Sequence, residues 1–452
     1  MRKILLYVFF IALLASCKDD GMPTAGDIAM GRLTVSLTEL ELNDQTADPQ
    51  NGPVGFEVTL RNIRTGSIFT ATADATGKAA FTTTPGIYEA TAKGEFAVEG
   101  IAYSFNGTAG QIVVSRDVTA NAIITMKGIK RSQVVIKELY NGGCLADDGV
   151  TKYQFDKYVT LYNNSPQTAS LSNLCLGFLT PYNGQSTNNN YNGEGRLTYE
   201  ADGFTPVLDG IWYFPDTLVI EPYAQTVVNI HGAIDNSLSY SQSVDFAHEE
   251  YYCMYDPESG YVNSKYYPTP SAVIPSSHYL KACRWSQSNA WPLSVTSPAL
   301  LLFQTHGIQP ADYASQVEHI WYDGGEVKQT KQCLKIPNQW IVDAIEVFSS
   351  GYKDSSTKRL TADIDAGYVW LTNYQGHSLY RNVDKEATET LPENEGKLVY
   401  GYTLGVDGST DPSGIDAEES EKNGAHIVYQ DTNNSTNDFH ERRQCALRSD
   451  KL

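Results

Sequence analysis

The chain has 452 residues, enough for two or three domains, and a formal net charge of −20, or −22 once Arg2 and Lys3 leave with a cleaved leader. So acidic a chain lacks the basic face that nucleic acid demands, which argues against nucleic acid as a partner. Its 29 tyrosines, with abundant Asn, Thr, Ser and Gly, predict alternating strands joined by long polar loops.

Arg2 and Lys3 precede an apolar run from Ile4 to Leu14, long enough for a signal-peptide core and too short to cross a bilayer. Leu14-Ala15-Ser16-Cys17 follows and resembles a bacterial lipobox, whose small residues fit the signal peptidase and whose cysteine takes the lipid. The expectation is a signal peptide over 1–16, lipidation at Cys17 and a tether over 17–30. Lys18-Asp19-Asp20 resembles the acidic export signal of surface lipoproteins in Bacteroidota-type Gram-negative bacteria. That resemblance implies an outer-membrane lipoprotein facing the cell exterior. A charged, solvated tether on the periplasmic side is the alternative.

From 31 to 128 the chain reads as short half-buried strands. Leu33-Thr34-Val35-Ser36-Leu37, Phe56-Glu57-Val58-Thr59-Leu60 and Tyr88-Glu89-Ala90-Thr91-Ala92 alternate with period two, and Ile112-Val113-Val114 and Ala122-Ile123-Ile124-Thr125-Met126 continue the set. Thr72 to Phe81 reads as a hairpin, with Asp74 accepting from the turn backbone, Gly77 free to take a positive φ and Phe81 returning to the core. Pro85-Gly86 then turns into the next strand. Together these pieces resemble the prealbumin-like repeats of carboxypeptidase regulatory domains and surface-protein stalks, which implies a spacer.

A second unit is expected over 132–450. Val134 to Leu139 is a strand ending near Glu138, followed by a Gly142-Gly143-Cys144 loop, a strand Tyr158 to Asn163, and Leu171-Ser172-Asn173-Leu174. This order resembles the lamin-tail domain, an immunoglobulin-like sandwich, although Thr160 stands where an acidic residue is common. Thr226 to Ile230 and Val342 to Phe348 read as further buried strands, and Asn437-Asp438-Phe439 resembles the family's closing segment that docks onto the sheet. The fold class expected is therefore all-β: a prealbumin-like sandwich, then a lamin-tail-like sandwich with long insertions at about 180–210 and 245–297. The whole layout resembles a family of Bacteroidota surface lipoproteins of unknown function.

After Cys17, six cysteines remain: Cys144, Cys175, Cys253, Cys283, Cys333 and Cys445. An even count in an oxidising compartment makes all six disulfide candidates, with the pairing open and Cys253–Cys283 placed to bracket the second insertion. No Cys-x-x-Cys occurs, which argues against zinc ribbons and thioredoxin-like sites. The second insertion gathers Tyr251, Tyr252, Tyr255, Tyr261, Tyr266, Tyr267, Trp285 and Trp291. Loops held by a stiff sandwich are where binding surfaces usually lie, so Tyr251, Tyr252, Tyr255, Tyr266, Tyr267, Trp285 and Trp291 are the ligand-binding candidates. An accessory aromatic core is the competing reading.

Motifs of catalysis are missing. There is no Gly-x-Ser-x-Gly elbow and no Walker loop, and Tyr252 stands where His248-Glu249 would need a second zinc-binding histidine. Asp407-Gly408-Ser409-Thr410-Asp411 begins like a calcium loop, with Glu418 and Glu419 nearby, and 407–423 reads as a mobile acidic surface loop. No metal and no cofactor is assigned. The expectation is a non-catalytic binding protein held to the outer membrane by its N-terminal lipid, capturing a nutrient. A glycan is the first ligand class, with a peptide or a metal complex next, beside a TonB-dependent transporter. A structural or adhesion role and a hydrolase with an unrecognised site are the alternatives.

Overall fold

The computed structural model describes residues 30–42, 52–98, 101–130, 132–260, 263–285 and 291–448. Cys17, the leader and the start of the tether lie outside the described residues. The protein is all-β and sandwich-like.

The first sheet has seven strands: β1 (Gly31–Leu42), β2 (Glu57–Asn62), β3 (Ile68–Thr72), β4 (Lys78–Thr83), β5 (Gly86–Val98), β6 (Ile101–Val114) and β7 (Thr119–Lys130). Their order is β3-β2-β5-β6-β7-β1-β4, with β1 and β7 parallel and the other pairs antiparallel. The expected alternation holds. In β4 every second residue is buried, and Leu33, Val35, Val58, Leu60, Phe81, Tyr88, Ala90, Phe105 and Ile124 share one core. Gly94 is required by close approach, since a Cβ there would lie 2.1 Å from the Phe56 ring.

One local expectation is corrected. Asp74 and Gly77 build the expected turn: the Asp74 carboxylate accepts from the Thr76 and Lys78 amides at 2.7 and 3.1 Å, and Gly77 has φ +73°. The strands on either side do not pair with each other. β3 pairs with β2 and β4 with β1, at opposite edges of the sheet. The turn hands the chain from one layer to the other, because Phe81 finds its apolar neighbours beside Leu33.

The second region packs two larger sheets face to face. One runs Tyr252–Cys253, Gln225–His231, Lys157–Asn163, Val134–Tyr140, Ser378–Arg381, Phe439–Arg442. The other runs Ile320–Tyr322, Gln332–Pro337, Phe204–Tyr213, Leu174–Leu179, Ala299–Gln304, Ile341–Ser349, Val369–Leu371, with Lys281–Arg284 paired to Phe204–Tyr213. Ile136, Val159, Val228 and Phe439 from the first meet Leu176, Trp212, Leu302 and Val347 from the second.

These sheets depart from a sandwich with solvated outer faces. All seven residues of Val134–Tyr140 and of Lys157–Asn163 are buried. The outer face of their sheet is covered by Val383, Ile415, Ile427 and Tyr429 at one end and by Phe246 and Cys445 at the other. The 407–423 segment, expected to be a mobile loop, is part of this cover. Asp411 accepts from the Val383 and Ser413 amides at 2.9 and 2.8 Å, and Ala417–Lys422 forms a helical turn capped by Asp416. Glu418 holds Arg442 through two 2.8 Å bonds and Glu421 holds Lys137 at 2.9 Å, so the acidic side chains dock the segment. The 180–210 insertion likewise ends in strand, since pairing begins at Phe204.

Candidate ligand surface

Two strands fix the ends of the second sandwich. Val134–Tyr140 starts just after the first sheet ends at Lys130 and runs away from it to Gly142 and Gly143. Ile341–Ser349 begins at the same end, where the Asp343 carboxylate accepts from the Ile136 amide at 2.6 Å. Both therefore finish at the end remote from the first sheet, and there the loops gather.

At that end Tyr374 takes φ +62° and its amide bonds the Gly142 carbonyl at 2.8 Å. Asn373 donates to the Val295 and Thr296 carbonyls at 2.8 and 3.0 Å and accepts from Ser349 at 2.5 Å. Asn141 donates to the Ser294 carbonyl at 3.3 Å, Ser294 bonds Asn183, and the Gly184 amide bonds the Ser297 carbonyl at 3.1 Å. Four loops are thereby tied by short amide and hydroxyl side chains. Buried Arg359 braces them from below, donating to the Pro181 and Ser297 carbonyls at 3.1 and 2.9 Å while its Nε bonds Glu346 at 2.8 Å.

The rings left on this platform are tyrosines. Tyr182 is 40% exposed and Tyr352 47% exposed, with Tyr374 half-buried near them. Burial first, then the adjacent Tyr266 and Tyr374, pushes the Tyr182 phenol up; burial and Tyr352 do the same for Tyr374. Lys152 sits 4.4 Å over the Tyr374 ring, whose hydroxyl bonds Gln154 at 3.4 Å, and Lys353 sits 5.5 Å over Trp370. Flat rings bordered by amides and ammonium groups suit a ligand with both apolar C–H faces and hydroxyls. One ring further in, His231 lies 5.1 Å from Tyr266; both its nitrogens are buried without a protein partner, as is the Asn141 side-chain oxygen.

Of the seven aromatic residues expected to bind ligand, Tyr251, Tyr252, Tyr255, Tyr266 and Trp285 are half-buried and Tyr267 and Trp291 are buried. None is exposed. Tyr267 and Trp291 are in the main core, Trp291 stacked on Trp212 at 5.2 Å, with Tyr252, Tyr255 and Tyr266 packed against that core. Tyr251 packs beside Phe246, and Trp285 lies against the other face of the second sheet, bonding the Gln332 carbonyl at 2.9 Å. Tyr261 lies outside the described residues. The rings that form this edge sit in turn composition: Tyr182-Asn183-Gly184, Gly351-Tyr352-Lys353 and Asn373-Tyr374-Gln375-Gly376. That context was the signal for them, since a tyrosine among turn formers has no sheet face to enter.

All six described cysteines are free thiols. The Cys253–Cys283 bridge is corrected. Cys253 packs with Ala233 and Ile274, while Cys283 packs on the opposite sheet. The Leu280 amide bonds the Cys253 carbonyl at 2.9 Å, and Cys283 lies three residues further along a strand, about 10 Å on at ~3.3 Å per residue, beyond disulfide reach. Burial pushes the Cys144, Cys175, Cys253, Cys333 and Cys445 thiols up, away from the thiolate.

The buried charges of this region are spent on the fold. Glu138 accepts from Tyr158, Ser378 and the Ala446 amide at 2.6, 2.6 and 3.0 Å. Asp343 pairs with Arg381, and Asp438, pushed up to about 7 by burial, takes the Thr432 amide and hydroxyl. Among the described residues no group of three His, Cys, Asp or Glu is arranged to hold a metal. A concavity of about 560 Å³ opens between the first sheet and the second region, lined by Glu57, Lys93, Asp384, Lys385, Glu386 and Gln430.

No protein of curated function matches the chain. Two of the solved structures found are a fimbrial protein from Actonomyces oris (14% identity, 42% of this chain and 45% of that one, TM-score 0.16) and a DUF3823 family protein from Parabacteroides merdae (7% identity, 71% and 99%, TM-score 0.14); likenesses this slight carry no argument. A DUF4876 family protein from Bacteroides thetaiotaomicron covers 90% of this chain and 94% of its own at 19% identity and TM-score 0.50, a likeness of fold alone. Residues 221–403, which contribute strands to both large sheets together with Tyr352 and Tyr374, match the family described as a protein of unknown function, DUF4876.

Proposed function

We propose that this chain is a non-catalytic lipoprotein anchored at Cys17 on the outer-membrane surface, holding a glycan at the edge made by Tyr182, Tyr352 and Tyr374. The exposed tyrosine edge, bordered by Lys152 and Gln154, is the observation that carries this reading. It lies at the end of the second sandwich remote from the first sheet, which suits display outward from a membrane. Sugars present C–H faces to rings and hydroxyls to amides, and Gln154 and Lys152 stand beside Tyr374 for the second task. The non-catalytic part rests on buried carboxylates such as Glu138, Asp343 and Asp438, which hold internal donors. In this reading the first sheet is a spacer, and a TonB-dependent transporter is the partner that receives the ligand.

Calorimetric titration of the purified protein against neutral oligosaccharides tests it. Binding without turnover is expected, weakened roughly tenfold or more by Tyr352→Ala, since stacking of this kind contributes on the order of 1–2 kcal/mol. Flat titrations across glycan and peptide panels, or affinity indifferent to Tyr182→Ala and Tyr352→Ala together, would sink the reading. Affinity purification from native membranes is expected to bring down a transporter.

A further inference from the structure

The first sheet has a pole that differs from the rest of this acidic molecule. β1 and β7 run parallel, with Arg32 opposite Thr119, so the chain enters the sheet at one pole and leaves for the second region at the other, twelve residues along β7. The entry pole is built by the turns β2–β3, β4–β5 and β6–β7. The Asn62 amide closes the first on the Ser67 carbonyl at 2.8 Å, and a Cβ on Gly31 would lie 2.6 Å from the Ser115 carbonyl oxygen.

Six of the eight exposed large apolar residues described in this sheet crowd that pole: Met30, Ile63, Ile68, Ile87, Val113 and Val118. Ile87 and Val113 are direct cross-strand partners, and the Ile63 amide bonds the Ile87 carbonyl at 3.0 Å, so these three are contiguous. Arg32, Arg64 and Arg116 are exposed around them, with Asp117 the one acid in the same turns. A cationic, aliphatic pole on a chain of net charge −20 is not explained by solubility.

We infer that this pole rests on the membrane: its aliphatic side chains enter the interfacial layer and its arginines meet anionic headgroups. The inference depends on the lipid anchor proposed above. Met30 lies thirteen positions after Cys17, at most about 45 Å of chain, so an anchored Cys17 keeps this pole, where the chain enters the sheet, within reach of the bilayer. One acyl anchor plus a basic, apolar contact is the two-signal arrangement that makes membrane attachment durable and orients what is attached.

The test uses the full lipidated chain, purified from membranes and reconstituted in phosphatidylcholine–phosphatidylglycerol vesicles. The six native tryptophans (212, 285, 291, 321, 340 and 370) all lie in the second region, so an added one reports on the first sheet after subtraction of the wild-type signal. Val113→Trp, with Ile87→Trp as the duplicate, is expected to emit blue-shifted and to lose at least half its emission to acyl-brominated lipid. Val54→Trp, exposed at the opposite pole, should be unaffected. Replacing Arg32, Arg64 and Arg116 by Gln should cut the quenching at least twofold. Flotation without quenching, equal quenching at both poles, or a blue shift before vesicles are added (which would mean self-association) overturns the inference and leaves the anchor standing. Failure of the wild-type chain to float overturns the anchor, and the inference with it.

Discussion

His440 is 2% exposed and sits in a chain of three groups: its Nε2 accepts from the Tyr402 hydroxyl at 2.6 Å and its Nδ1 donates to the Asn382 side-chain oxygen at 2.7 Å. Both bonds suit the neutral ring. Burial, with Arg442 adding to it, drives the imidazole down to about 3. The unfolded chain takes up the proton near pH 6.5, well before the folded one. The stability this group provides is therefore complete above that value and is lost as pH falls from 6.5 toward 3, by at most about 4–5 kcal/mol. Chemical denaturation from pH 7 to 4 is expected to show this loss, and His440→Gln should flatten that limb at the cost of stability at neutral pH. An NMR titration that protonates His440 near pH 6 in the folded state would refute it. Single residues of this kind were only partly legible in the sequence. Glu138, Asp438 and Phe439 stood out and are indeed buried, Phe439 under the Arg381 guanidinium at 4.4 Å. His440, one residue on, gave no signal, because its partners are 38 and 58 positions away.

Among elements, the strand Ile341–Ser349 carries the clearest coupling between packing and the ligand surface. Glu346 and Arg359 are both fully buried, and the guanidinium also holds the Pro181 and Ser297 carbonyls beneath Tyr182. Removing one charge strands the other in a low-dielectric site. Arg359→Met should therefore cost roughly 3–5 kcal/mol in denaturant unfolding, and Glu346→Leu with Arg359→Met should recover much of it. Hydrogen exchange at the Gly184 amide should accelerate in the double variant as well, because the loop loses its brace whatever the stability; unchanged exchange there would mean that the brace is not what orders Tyr182. Elements were legible where one face decides them. β2 and β4 alternate as expected because one side of each is wet. The β3–β4 turn was read correctly and its strand pairing was not, since turn chemistry fixes a reversal and not the partner. The helical turn Ala417–Lys422 had a visible cap, with Asp416 accepting from the Glu419 amide at 3.1 Å. The segment's acidity suggested solvent because Arg442 and Lys137 lie far off in sequence.

At the scale of the molecule, the apolar cores divide cleanly. The cluster inside the first sheet draws only on residues 33 to 126, and the other clusters begin at Val134; none mixes the two. Among the described residues, contacts across the division include a buried bond from Asn106 to the Thr432 carbonyl and the loose Lys127–Glu200 pair at 4.0 Å. The segregation was visible in the sequence because alternating strands give way near residue 132 to continuous apolar ones. The covering of the outer faces was not, since it depends on segments returning from hundreds of residues away. Cooperativity follows burial of shared apolar surface, and no apolar cluster of the described residues spans the division. Two unfolding transitions are therefore expected in calorimetry. Val58→Ala, wholly buried in the first sheet, should lower one of them by about 1–3 kcal/mol and leave the other in place. Val159→Ala, wholly buried between the large sheets, should do the reverse. A spacer that only positions its neighbour must melt on its own terms; a single transition moved equally by both variants would mean that the two regions form one cooperative body and that the first sheet does more than hold the second away from the membrane.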